Sequence, residues 1–375
     1  MALTALLVDS GEPKTRTSYR DDLTTVGFGV WFVVGLLLDA WAHNNVPGLE
    51  TFFTPWHAVF YSGFVATAGW LCWLVVRNLR AGRRGAAAVP VGYGLGAIGL
   101  PVFALAAMLD YGWHTAFGIE QAYKILFSPT HLVLVSSMIV IVTSPLRAAW
   151  ADRDRVAPGL VKLLPAILAL AFSTTLVLLF LQYANALIWG PQAIVANLSE
   201  SPDGRPKEIE NFLSAIMVTN LVLIAPLLLV GRRWRVPPGT ATIIFLSAAG
   251  LAAAITSLRS LSVLVVMLVA GLLVDALVAR LDPRDSRRGA YLTFGFVAPV
   301  LLWLSYLGVA AIYAGQLPDI VEFSTGIPVV TGFLGLTLAA LMMRHPSSAG
   351  INRIPDRDGA ERLVRDDVQP EQRTG

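Results

Sequence analysis

The chain is short of the two things a water-soluble protein of 375 residues needs most. Charged residues make up only 14% of it and apolar residues 55%. A soluble globular chain carries roughly 25% charged residues. With so few charges the chain cannot cover a water-facing surface, and its mean hydropathy of +0.64 makes the lipid bilayer most of its solvent. Cysteine is nearly absent. Cys72 stands alone, which excludes an intramolecular disulfide and any thiolate-rich zinc or iron–sulfur site. No phosphate-binding loop, zincin motif or nucleophile elbow occurs. The net charge of +3 is no sign of a nucleic-acid partner, because membrane proteins gather basic residues in their cytoplasmic segments.

What the chain has instead is long apolar runs. A spanning helix needs about 20 mostly apolar residues. Ten runs approach that length, near 25–43, 56–76, 91–112, 129–147, 160–186, 211–230, 239–256, 260–280, 291–314 and 325–343. The fold expected is an all-α integral membrane protein of about ten transmembrane helices. Placing both termini in the cytoplasm leaves only Lys124, Arg205, Lys207 and Arg259 outside, and the other 24 of the 28 basic residues inside. This is the skew the positive-inside rule describes. Four regions follow: a cytoplasmic tail over 1–24, a four-helix portion over 25–150, a six-helix portion over 151–345, and a polar tail over 346–375 whose composition predicts disorder. In the six-helix portion, Asp275 is expected to pair with Arg280 or a lipid headgroup.

Histidines are scarce, five in all, and four of them fall into a repeat. The first predicted helix ends Asp39-Ala40-Trp41-Ala42-His43 and the second opens Phe53-Thr54-Pro55-Trp56-His57. The third ends Asp110-Tyr111-Gly112-Trp113-His114 and the fourth opens Phe127-Ser128-Pro129-Thr130-His131. Glu50 and Glu120 lie in the loops between. Residues i and i+4 share a helix face, so each Asp–His pair can address one atom. Thr54 and Ser128 read as N-caps, with Pro55 and Pro129 at the first helical position. That puts His57 and His131 at the positive end of a helix dipole, which favours the neutral imidazole a metal requires. The aspartates near helix C-termini call for a cation. Two imidazoles and a carboxylate suit copper, zinc or non-haem iron. The same pairs also read as simple Asp–His hydrogen bonds, with no metal.

These motifs resemble the C subunit of the copper membrane monooxygenases, the family of particulate methane, ammonia and hydrocarbon monooxygenases. The likeness rests on Asp39-x-x-x-His43, on Phe53-Thr54-Pro55-Trp56-His57 followed by Phe60-Tyr61, and on the second set Asp110, Trp113-His114 and His131. It covers about 25–150. The family's second set begins with Asn where this chain has Asp110, and the helices beyond about 155 match nothing in that subunit. The resemblance implies one copper held by Asp39, His43 and His57, and a second held or shadowed by Asp110, His114 and His131. It also implies oxygen activation for hydroxylating a small apolar substrate, with Glu50 or Asp110 handling protons, and further membrane subunits or a homo-oligomer as partners. The metal sites are expected near the extracytoplasmic face of the cell membrane. Two other readings stand beside it: a copper-storing, sensing or transporting protein without turnover, and a metal-free structural or transport protein.

Overall fold

The computed structural model describes residues 11–46, 53–118, 127–152, 157–200, 206–259 and 261–343. Those residues form twelve α-helices and no strand. In chain order they are α1 Tyr19–Asn45, α2 Pro55–Arg80, α3 Gly94–Phe117, α4 Pro129–Val142, α5 Ser144–Ala151, α6 Leu160–Phe180, α7 Pro191–Asn197, α8 Pro206–Arg233, α9 Thr240–Ile255, α10 Ser262–Leu281, α11 Arg288–Ala314 and α12 Val321–Met342. Eight are long and apolar enough to cross a bilayer, or nine if α4 and α5 form one bent span. The chain is therefore a multi-pass helical membrane protein. The tail from 346, His345, Glu50 and Glu120 lie outside the described residues.

The structure departs from the ten expected runs in three places, each with a local cause. The run 129–147 is not one straight helix, because α4 and α5 meet at 41°. Pro145 has no amide to give the carbonyl of Ile141, and the Ser144 hydroxyl donates to that oxygen instead, at 2.8 Å. The run 160–186 stops at Phe180 and gives way to two single 3₁₀ turns and the short α7. Irregular backbone survives at membrane depth only when protein satisfies it. Here the Thr219 hydroxyl accepts from the amide of Ala186 at 2.9 Å, the Tyr306 hydroxyl donates to the Ala186 carbonyl, and the Asn185 side chain accepts from Leu187.

The third departure is α9, which has 16 residues. At 1.5 Å per residue that is about 24 Å, short of the ~30 Å hydrocarbon layer. It is buried nearly all round, with Ile244, Phe245, Ala248, Ala249, Leu251 and Ala252 fully covered, which is why it is apolar on every face. Asp275 of α10 does not pair with Arg280. Its carboxylate accepts from the amides of Ala241 and Thr242 at 3.0 and 3.1 Å and from the Thr242 hydroxyl at 2.6 Å. The first amides of a helix lack intrahelical partners, and this buried carboxylate serves them from the neighbouring helix.

The α1–α2 crossing positions the histidines. A Cβ on Gly35 would lie 2.7 Å from the Phe60 Cα, and one on Gly63 would lie 2.7 Å from the Phe32 Cα. The two glycines face each other's partner helix, so the backbones touch. Asp39, one turn beyond Gly35, is thereby carried against the start of α2.

The two ends of the molecule differ in character. At one end Arg16 pairs with Asp152 at 2.9 Å, Arg233 donates to the Asp152 carbonyl at 2.8 Å, and Arg77 makes a two-pronged pair with Asp21 at 2.9 and 3.0 Å. At the other end stand all four motif histidines. The chain enters α9 from the Arg233 end. It leaves α9 at Ser257, which is hydrogen-bonded to Trp41 near the C-terminus of α1. Short as it is, α9 runs from the basic end to the histidine end.

Candidate metal centre

Each repeat folds into a helical hairpin with its ligand-type residues at the open end. On α2 the Thr54 hydroxyl caps the helix by accepting from the His57 amide at 3.2 Å, and Pro55 occupies the first turn. The expected N-cap thus fixes His57 at the third helical position. In the second hairpin Pro129 also opens the helix, but Ser128 makes no side-chain cap. Its hydroxyl bonds that of Thr130 at 2.8 Å, and Thr130 donates to Asp110 Oδ1 at 2.6 Å. The Thr130 proton is committed to the carboxylate, a strong charged acceptor, which leaves the Thr130 oxygen to accept from Ser128.

The two triads have the same composition but present the carboxylate differently. Asp39 Oδ2 lies 3.7 Å from His43 Nε2 and 3.4 Å from His57 Nε2. Asp110 Oδ2 lies 3.3 Å from His114 Nε2, and its Oδ1 lies 3.4 Å from His131 Nε2. Within each triad one ligand atom from every residue falls within 4.8 Å of the others. Asp39, His57, Asp110 and His114 are buried, with Asp110 only 1% exposed. The carboxylate–imidazole separations exceed the ~2.7–2.9 Å of a charge-assisted hydrogen bond. They match the ~3.4 Å edge of a tetrahedron whose metal–ligand bonds are about 2.1 Å. His114 Nδ1 faces the carbonyl of Gly118 at 3.4 Å, the kind of second contact that orients a ligating imidazole. Both triads can therefore hold a metal ion.

They also open onto the same space. Asp39 and His57 from the first triad, and Asp110 and His131 from the second, line one cavity of about 40 Å³. That is room for a few water-sized molecules. The rest of its wall is apolar or aromatic, including Leu36, Phe60, Tyr61, Leu134, Met138 and Phe180. Two carboxylates facing one small buried space repel each other unless a cation or protons intervene.

No known protein family, curated protein or solved structure matches the chain.

All six histidines and aspartates expected from the repeat are brought together, three and three. Glu50 falls outside the described residues. The sequence reading missed Thr130 as the partner of Asp110. Its signal was the one position of the helix-start motif where the two repeats differ in chemistry, Trp56 against Thr130. The reading also missed that Phe180, from the second portion of the chain, completes the cavity wall.

Proposed function

We propose that this protein is a copper-binding membrane protein related in design to the C subunit of the copper membrane monooxygenases, with Asp39, His43 and His57 holding one ion and Asp110, His114 and His131 a second. The observation that carries this reading is the paired arrangement: two Asp/His/His sets, each with its ligand-type atoms within 4.8 Å of one another, facing one cavity. The donor set has no thiolate, which fits a cupric ion, and zinc or iron would also accept it. A copper ion in such a site supplies one-electron chemistry with dioxygen.

The residues around it divide the remaining work. Asp39 and Asp110 offset the ion's charge within an apolar surround. Phe32, Phe60, Phe64 and Phe103 pack against one another as an apolar aromatic cluster beside the site. The apolar wall admits a small apolar substrate arriving through the bilayer, and Glu50 or Asp110 handles protons. Ten crossings with both termini in the cytoplasm place the triads near the extracytoplasmic face of the cell membrane. The run of α9 between the two ends supports the tenth crossing, and the arginine pairs opposite the histidines support the orientation. Further membrane subunits or a second copy belong to this reading through the resemblance.

The alternative is copper storage or sensing without turnover. The small size of the cavity favours it, and the aromatic cluster argues against an ion path across the membrane.

The test is the metal content of the detergent-purified protein beside His43→Ala/His57→Ala. One to two equivalents of copper that fall in the variant support the reading and justify an oxygenase assay. Zinc lost in the same way redirects it to a hydrolytic or structural centre. No metal in either, even after reconstitution, leaves the triads as hydrogen-bonded packing.

A further inference from the structure

The last turn of α1 is tied to the turn between α9 and α10. The Trp41 indole N–H donates to the Ser257 hydroxyl at 2.9 Å, and that hydroxyl donates to Asn45 Oδ1 at 2.6 Å. The Asn45 amide closes the ring by donating to the carbonyls of Ile255 at 3.2 Å and Trp41 at 2.9 Å. Ser257 and Leu258 both hold left-handed backbone, with φ of 51° and 62°. Glycine is the usual residue just past a helix end in that conformation. This turn carries two side chains there at a backbone cost, and one of them supplies the hydroxyl at the centre of the network.

The repeat shows what that hydroxyl replaces. In the second hairpin Asp110 is held from within, by Thr130. The first hairpin has Trp56 at the position of Thr130, and Trp41 at the position of Gly112. These two indoles pack edge-to-face, with ring centroids 5.4 Å apart. The first repeat has exchanged an internal hydroxyl for a tryptophan pair whose N–H reaches out to Ser257. Trp41 sits midway between Asp39 and His43, the two ligand-type residues of α1, so whatever fixes Trp41 fixes the rotation of both about the helix axis.

We propose that Ser257 is a positioning residue for the first metal site, acting through Trp41 and Asn45. The α9–α10 turn sets the geometry of Asp39 and His43, while the second site is set inside its own hairpin. Through this turn the second portion of the chain holds the ligand-bearing helix of the first site. This rests on the metal reading above.

The experiment measures cupric-ion affinity of the full-length protein in detergent in two parents. His114→Ala/His131→Ala keeps only the first triad, and His43→Ala/His57→Ala keeps only the second. Into each go Ser257→Gly, which suits the left-handed backbone and removes the hydroxyl, and Trp41→Phe, which keeps an aromatic ring against Trp56 and removes the N–H. Leu258→Gly serves as a control that eases the backbone and leaves the hydroxyl. Loss of a group hydrogen-bonded to a ligand itself costs about 10–100-fold in metal affinity, and Ser257, one residue further out, falls at the lower end of that range. The expected result is a loss of about tenfold or more for Ser257→Gly and for Trp41→Phe in the first parent. The two losses combine less than additively, because both remove one bond. Neither change alters the second parent, and Leu258→Gly alters neither. Unchanged first-site affinity in both variants overturns the proposal, as does an equal loss at both sites, the mark of general destabilisation. If Ser257→Gly fails to fold, Trp41→Phe decides. A first-triad parent that binds no cupric ion overturns the metal reading of that triad and this proposal together. A parent that binds it tightly but ignores the variants overturns only the positioning.

Discussion

Phe32 and Phe103 occupy the same position in the two repeats, seven residues before Asp39 and Asp110, and they meet edge-to-face with ring centroids 5.1 Å apart. The two hairpins therefore touch through equivalent residues, and the cavity between the triads lies above that contact. Phe32 is fully buried, as is Phe103. Trimming either to Ala removes a large buried ring, at a cost of about 3–5 kcal/mol. Both rings pack against Phe60, which lines the cavity, so Phe103→Ala is expected to lower the thermal midpoint and weaken metal binding at both triads. A midpoint within a degree of wild type would show that the hairpins are held together elsewhere.

The hydroxyl of Thr130 is the inner support of the second triad. Thr130→Val keeps the shape and removes the donor. Metal affinity at the second triad should fall about 10–100-fold while the first is untouched, read by equilibrium dialysis in single-triad variants. Thr130→Ser should restore most of it.

Gly63 lets α2 touch α1 at Phe32, and Gly69, on the same helix, faces open space. Gly63→Ala forces the helices apart and is expected to abolish metal binding at the first triad along with a marked loss of thermal stability. Gly69→Ala should be neutral or slightly stabilising, since alanine is the better helix former. Equal behaviour of the two variants would mean that the close crossing does not set the site.

Asp275 separates stability from chemistry. Asp275→Leu leaves the Ala241 and Thr242 amides of α9 without their acceptor. A lost buried bond to a charged group costs about 1.5–3 kcal/mol. Lower thermal stability with unchanged metal content at the second triad is expected. A selective loss of metal there would assign Asp275 a part in the site.

Orientation is open to direct labelling. With Cys72 replaced by Ser, Leu258→Cys should react with a membrane-impermeant maleimide from outside intact cells, and Arg83→Cys only after lysis. The reverse pattern would place the triads at the cytoplasmic face.

The sequence by itself determined the solvent and the ligand-type residues. Apolar content sets the bilayer as environment whatever the folding details. A helix places i and i+4 on one face by its own geometry, so Asp39 with His43 and Asp110 with His114 were legible from spacing alone. The Thr-Pro start of α2 fixes His57 through bonds that span three residues. Tertiary structure decided everything carried by contacts between distant segments. The break after Phe180 depends on Thr219 and Tyr306, and the cap of α9 depends on Asp275, each 33 or more residues from the backbone it serves. Local propensity holds no record of such partners. The meeting of the two triads at one cavity likewise follows from how the hairpins pack through Phe32 and Phe103. The tie from Trp41 to Ser257 joins residues 216 apart in the chain. A hydrogen bond depends on where atoms lie in space, and only the folded chain brings that pair together.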